Sequence, residues 1–123
     1  MKGKAWKALR EYVKARDNYT CVTCGRENLE GASAQAGHYI PVGLSGSNSA
    51  LSWHHLNVHT QCPRCNGPGM GMQEQMGRYI NNRYGDFTTD ILWGMKKTAG
   101  PVKDWERERD FYIELLKALN GAS

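Results

Sequence analysis

Apolar residues recur at helical spacing from the first residues of the chain. In KAWKALREYVKAR (residues 4–16), Ala5, Trp6, Leu9, Tyr12 and Val13 fall on one side and Lys4, Lys7, Arg10 and Lys14 on the other, the pattern of a helix docked on a core. After residues 26–35, which read as a loop, HYIPV (residues 38–42) has the aromatic and β-branched content of a strand, with Pro41 favouring an edge. GLSGSNSA (residues 43–50) is loop by composition, and residues 51–61 contain the returning strand. Three helices complete the reading: residues 70–84 stopped at Gly85, residues 87–97, and a last one from Pro101 to Gly121. On the last, Trp105, Tyr112, Leu116 and Leu119 form a stripe with Phe111 and Leu115 beside it, either a core-packing face or a dimer face.

The cysteines give the hairpin a frame. Cys21-Val-Thr-Cys24 and Cys62-Pro-Arg-Cys65 are two identical spacings, 37 residues apart, and Gly25 suits the turn that closes the first. Disulfides need an oxidising compartment, and no export signal is recognisable. A thioredoxin-like motif would account for one pair but not two. Four thiolates in two knuckles match a closed, tetrahedral structural Zn²⁺ site, which would add folding free energy to the domain. The expected organisation is a single domain over residues 1–123: a basic N-terminal helix (1–20), a zinc-bound core (21–85) and a helical extension (86–123).

At 123 residues with 40% hydrophobic content, the chain has the size and composition of a folded domain. Its net charge of +4 is carried entirely by the first 17 residues, where Lys2, Lys4, Lys7, Arg10, Lys14 and Arg16 face only Glu11 and Asp17. That segment is either a phosphate-backbone contact, with Lys4, Lys7, Arg10 and Lys14 as candidate DNA-binding residues, or a solvated helix face. No apolar run has signal or membrane length, so a cytoplasmic protein without membrane association is expected.

Three further residues bring a family into view. His38 lies in the first strand, Asn57 five positions before the second knuckle, and Asn66 directly after it. This trio resembles the HNH (His-Me finger) nucleases in their HNN form, as does the lead-in ARDNYTCVTCG. The phrases CVTCG, AGHYIP and NVHTQCPRCN, followed by a helix closing on RYG, resemble the lambdoid phage NinG (Rap) recombination proteins over residues 6–85. The paired knuckles and Cys-Asn ending are also similar to junction resolvases of the endonuclease VII type.

The resemblance implies an α+β fold with a zinc-knuckle-stabilised ββα-metal (HNH, treble-clef-like) core between an N-terminal helix and C-terminal helices. It also implies a DNA endonuclease acting on branched recombination intermediates such as Holliday junctions, in a phage-infected bacterium, as a homodimer because resolution takes paired nicks. Its products would carry 5′-phosphate and 3′-hydroxyl ends. His38 becomes the candidate general base, since a neutral imidazole accepts water's proton near pH 7. A divalent cation, Mg²⁺ or Mn²⁺, would relieve charge on the phosphate. Asn66 is its expected ligand, or else a helix cap. Asn57 braces the hairpin and orients His38, or is a plain turn residue.

Many HNH nucleases carry Asp or His immediately before the base, where this chain has Gly37. His59 on the returning strand is the substitute ligand expected, alternatively a phosphate contact or a structural histidine. Glu74 is a spare acid, His54 and His55 are surface residues, and the glycines around Pro68 either displace Asn66 or give DNA room to approach. The competing functions are a sequence-tolerant duplex nicking nuclease and a zinc-ribbon DNA-binding protein without catalysis; the trio of His38, Asn57 and Asn66 favours an enzyme.

Overall fold

The computed structural model describes residues 1–67 and 72–121. Helix α1 (Lys2–Arg16) buries Ala5, Ala8, Leu9 and Val13 and leaves Lys4 and Lys7 in solvent, as the periodicity requires. It stops at Asp17, and the next two residues, Asn18 and Tyr19, take left-handed backbone conformations (φ 54° and 51°) that turn the chain into the first knuckle. Asparagine tolerates that region; tyrosine seldom does.

Strands β1 (Gln35–His38) and β2 (Val58–Gln61) form an antiparallel pair with Gln35 opposite Gln61, Ala36 opposite Thr60, Gly37 opposite His59 and His38 opposite Val58. The hairpin thus lies between the two knuckles, but its first strand is displaced from residues 38–42, and Gln35 belongs to it rather than to a loop. The cause is Asn57. Its backbone carbonyl accepts the Tyr39 N–H (2.9 Å), and its side-chain Oδ1 accepts the Ile40 N–H (2.8 Å), so a side chain replaces the strand partner just past His38. Pro41 has no N–H to continue a ladder, and its fixed φ opens the short helix α2 (Val42–Ser45) where a loop was expected.

Helices α3 (Gln73–Tyr84) and α4 (Thr88–Thr98) follow, the first ending on Gly85 at φ 126°. The expected start at residue 70 and the effect expected of the glycines around Pro68 lie outside the described residues. The last helix, α5 (Trp105–Gly121), begins four residues later than Pro101. Residues 100–102 instead lie along 48–50: Ala50 donates to the Gly100 carbonyl (2.9 Å) and Val102 to that of Asn48 (2.7 Å). Asp104 then caps the helix by accepting the Arg107 N–H at 3.0 Å.

The apolar interior has three clusters. One joins α1 to α5 around Leu9, Val13, Trp53, Val58 and Tyr112. A second surrounds the cysteines with Leu29 and Ala34, and a third packs Ile40 and Leu51 against Met76, Ile80 and Leu92. Tyr112 is buried and its hydroxyl donates to the Trp53 carbonyl. Core packing therefore accounts for Trp105, Tyr112 and Leu115 on α5, while Phe111, Ile113 and Leu119 stay exposed. The chain is a mixed α+β protein with a two-stranded sheet, and no helix among the described residues is long and apolar enough to cross a membrane.

Candidate functional site

The Sγ atoms of Cys21, Cys24, Cys62 and Cys65 all lie within 4.8 Å of one another. Cys24 and Cys62 are 3.7 Å apart, far beyond a disulfide bond and close to the edge of a tetrahedron with metal–sulfur bonds of about 2.3 Å, which is about 3.8 Å. Burial, together with the neighbouring thiols, pushes Cys65 up to about 12. Cys21 comes down to about 6; burial opposes this, and the Thr23 hydroxyl with backbone N–H groups of both knuckles outweighs it. Such a cluster, with N–H donors aimed at sulfur, could hold a zinc ion without an open position. Leu29, Ala34 and Met72 wall it.

His38 ends β1, half-buried, with its ring stacked in parallel offset on Trp6 (centroids 5.8 Å, planes 4° apart). Its Nε2 donates to the Ser52 carbonyl at 2.8 Å. That bond fixes the tautomer and leaves the Nδ1 lone pair without a hydrogen bond among the described residues. Burial lowers its pKa below 6.5 despite the Ser52 carbonyl, so the ring is neutral at pH 7. Asn57 is fully buried, and besides the Ile40 N–H it engages the Ile40 and Leu51 carbonyls through Nδ2 (3.2 and 3.3 Å). It thereby ties the end of β1 to the segment carrying Ser52.

Asn66 follows the second knuckle, its N–H donating to the Cys62 carbonyl at 3.0 Å. It does not cap α3, which starts at Gln73 after a left-handed Met72. Gln35 Nε2 donates to the Ala32 carbonyl, so Gln35 Oε1 is the atom that accepts Asn66 Nδ2 (3.1 Å), which turns Asn66 Oδ1 towards Gly37. His38 and Asn66 line one open groove of about 480 Å³ with Ala36, Pro41 and Gln73. The groove continues past Ala36 and Asn66 to Arg10 and Lys14. Neither cation has a carboxylate partner among the described residues, and Arg10 Nε is buried without a hydrogen bond. Lys4 and Lys7 do not line it, and Lys7 approaches Glu11 at 3.9 Å.

Two expectations are corrected. His59 is unavailable as a cation ligand or phosphate contact: it is fully buried, its Nε2 donates to the Leu56 carbonyl (2.6 Å), and its Nδ1 accepts from Arg16 Nη2 (3.0 Å). Burial, reinforced by the Arg16 charge, holds its pKa at about 3. His54 and His55 are half-buried rather than surface residues: His54 Nδ1 accepts the Leu56 N–H (3.1 Å), and burial brings His55 down to about 4. Glu74 is exposed and paired with Arg78 at 2.8 Å. At Gly37 an added Cβ would stand 1.9 Å from Gln61 Oε1 and 3.0 Å from Asn66 Oδ1, so the position that lacks a ligand is filled by neighbours.

A buried ionic hub under the hairpin has no counterpart in the sequence reading. Asp17 accepts from Arg16 Nε (2.9 Å) and Nη2 (3.0 Å), Arg83 Nη1 (2.9 Å) and the Thr60 N–H (2.8 Å). Arg16 also donates to the His55 and Val58 carbonyls, each at 2.8 Å. The hub fastens α1, β2 and α3 behind the strand that faces His38's own.

No curated protein and no solved structure matches the chain. The family model described as Bacteriophage Lambda NinG protein matches residues 1–121, nearly its whole length, and the chain therefore belongs to the NinG family.

Proposed function

We propose that the chain is a metal-dependent DNA endonuclease with an HNH-type ββα-metal core, hydrolysing phosphodiester bonds in branched recombination intermediates such as Holliday junctions. The observation that carries the reading is one open groove lined by His38, whose Nε2 is anchored and whose Nδ1 has no hydrogen bond among the described residues, and by Asn66, and bordered by Arg10 and Lys14, which have no carboxylate partner among those residues. A phosphate backbone following that groove gains two positive contacts before it reaches the imidazole.

At the scissile phosphate, His38 Nδ1 takes the proton of the attacking water while the Ser52 carbonyl stabilises the imidazolium that results. Asn57 keeps that carbonyl's segment in register with β1. Mg²⁺ or Mn²⁺, when bound, would supply Lewis-acid relief of the phosphate charge. Asn66 Oδ1 fits as its protein ligand, and Mg²⁺ keeps several waters, so phosphate oxygens and water would complete the shell. The four cysteines would hold Zn²⁺ as a clamp on the hairpin, outside the chemistry. Paired nicks call for a homodimer, with the exposed Phe111 and Leu119 on one side of α5 as its contact, in the cytoplasm of a phage-infected bacterium.

The scarcity of cation ligands, with Gly37 filled in and His59 committed, favours a second reading: a zinc-stabilised DNA-binding protein without catalysis. Purified protein is incubated with a labelled four-way junction or matching linear duplex, with Mg²⁺ or with no divalent cation. Mg²⁺-dependent cleavage of the junction that is lost in His38→Ala supports the proposal. Cleavage unchanged in His38→Ala refutes the proposed base, equal cutting of both substrates removes the branch preference, and binding without cutting leaves the second reading.

A further inference from the structure

Beyond His38, away from Asn66, lies a separate cavity of about 390 Å³. Its walls are mostly apolar: Trp6, Trp53, Val42 and the His38 ring, with Lys2 at the rim. Trp6 meets Trp53 edge-on (5.3 Å), and Trp53 packs on Trp105 (4.6 Å) and donates its Nε1–H to the Ser47 carbonyl (2.9 Å), so the aromatic wall is buttressed. The Ser52 hydroxyl is committed to the Gly46 carbonyl (2.6 Å) and to Ser45 (2.7 Å). Lys2 hydrogen-bonds Asn48 and lies over Trp105, with no carboxylate partner among the described residues.

We infer that this cavity receives one unpaired nucleobase of the strand whose phosphate lies at His38. The inference rests on the function proposed above and specifies its substrate: DNA with a nucleotide next to the cleaved bond that is unpaired, or that binding opens at a branch point. The occupant follows from continuity and charge. His38 lines both the polar groove and the cavity, so a strand in the groove has its neighbouring base at the cavity mouth. Lys2 suits the next phosphate. The cavity itself offers rings and methyl groups, which suit the flat face of a base and exclude the sugar-phosphate chain. A base stacked in a duplex cannot enter, so branch points, flaps and mismatches are favoured over perfect duplex. The Trp53 Nε1–H and the Ser52 hydroxyl are already engaged, so the base is held mainly by contact with its flat face.

The test is affinity of the full-length, zinc-loaded protein for a four-way junction, measured without added divalent cation. An abasic site is moved one nucleotide at a time through the strands at the branch. At one position the abasic site should weaken binding by roughly 5- to 150-fold, the range of one base–aromatic stack. Trp6→Ala should remove that discrimination, and Trp6→Phe should retain most of it. Val42→Glu, at an exposed position that borders both the cavity and the groove, should weaken binding of intact and abasic DNA and abolish the difference between them, with zinc content and melting unchanged. An abasic scan without a sensitive position overturns the inference, as does absence of DNA binding. So does a Val42→Glu protein that still discriminates, or a Trp6→Ala protein that loses affinity equally for intact and abasic DNA. Cleavage without abasic sensitivity would remove the pocket and spare the nuclease; abasic sensitivity without cleavage would do the reverse.

Discussion

Replacing Asp17 by asparagine keeps the side chain's shape and removes its charge. The carboxylate is fully buried, and so, to 5% exposure, is the Arg16 side chain it neutralises. Four donors converge on its two oxygens. Asparagine retains one oxygen, and its NH₂ faces a guanidinium that can only donate. Arg83, 36% exposed, can turn to water, so its share is small. Arg16 cannot. Leaving a buried charge uncompensated costs about 3–5 kcal/mol, a large part of a typical domain's 5–15 kcal/mol.

Urea unfolding of zinc-loaded wild type and Asp17→Asn at pH 7 measures the difference directly. Burial works to raise the Asp17 pKa, but the Arg16 hydrogen bonds and charge and the Thr60 N–H bring it below 3.8. Its contribution is therefore complete above pH 3.8 and lost as pH falls through the lower folded value. The gap between the two proteins should accordingly stay constant from pH 8 to 5. A difference below about 1 kcal/mol would refute the view that this hub anchors α1, β2 and α3.

Other consequences are equally specific. His59, at about 3 when folded and near 6.5 when unfolded, disfavours the folded state as pH falls below 6.5. Its share of the loss is roughly 2 kcal/mol by pH 5, and ring NMR should show a neutral imidazole down to pH 4; a midpoint above 5 contradicts the assignment. Asn57→Ala strands the Ile40 N–H and two carbonyls and should cost about 2–4 kcal/mol in urea unfolding; a loss under 1 would mean those bonds are dispensable. Gly37→Asp should not supply a metal ligand. Its Cβ displaces Gln61, whose Nε2 holds Thr23 at the knuckle (3.2 Å), so lower melting and faster zinc release are expected, and an unchanged melting temperature would argue otherwise.

The two cysteine pairs and the α1 stripe were legible because each is a local spacing with a single physical solution. Register was less so. A four-residue strand carries little periodicity, and what ends β1 at His38 is the Asn57 side chain, 19 positions away. The ionic hub draws on residues 16, 17, 60 and 83, which no motif connects, and Arg16 counts among surface charges until its partners are placed around it. His59 illustrates the same limit: its residue type suits a cation, and only its two occupied nitrogens exclude that role. Gly37 is explained by neighbours 24 and 29 residues downstream rather than by its own backbone.

The central claim, that His38 is the general base, is tested most directly by the pH dependence of single-turnover junction cleavage at saturating Mg²⁺. Because burial holds the imidazole pKa below its ordinary 6.5, the rate should be level through neutrality and above, and decline only as the ring becomes protonated in acid. A rate that climbs about tenfold per pH unit through neutrality would show a nucleophile generated without the imidazole, and would contradict the account.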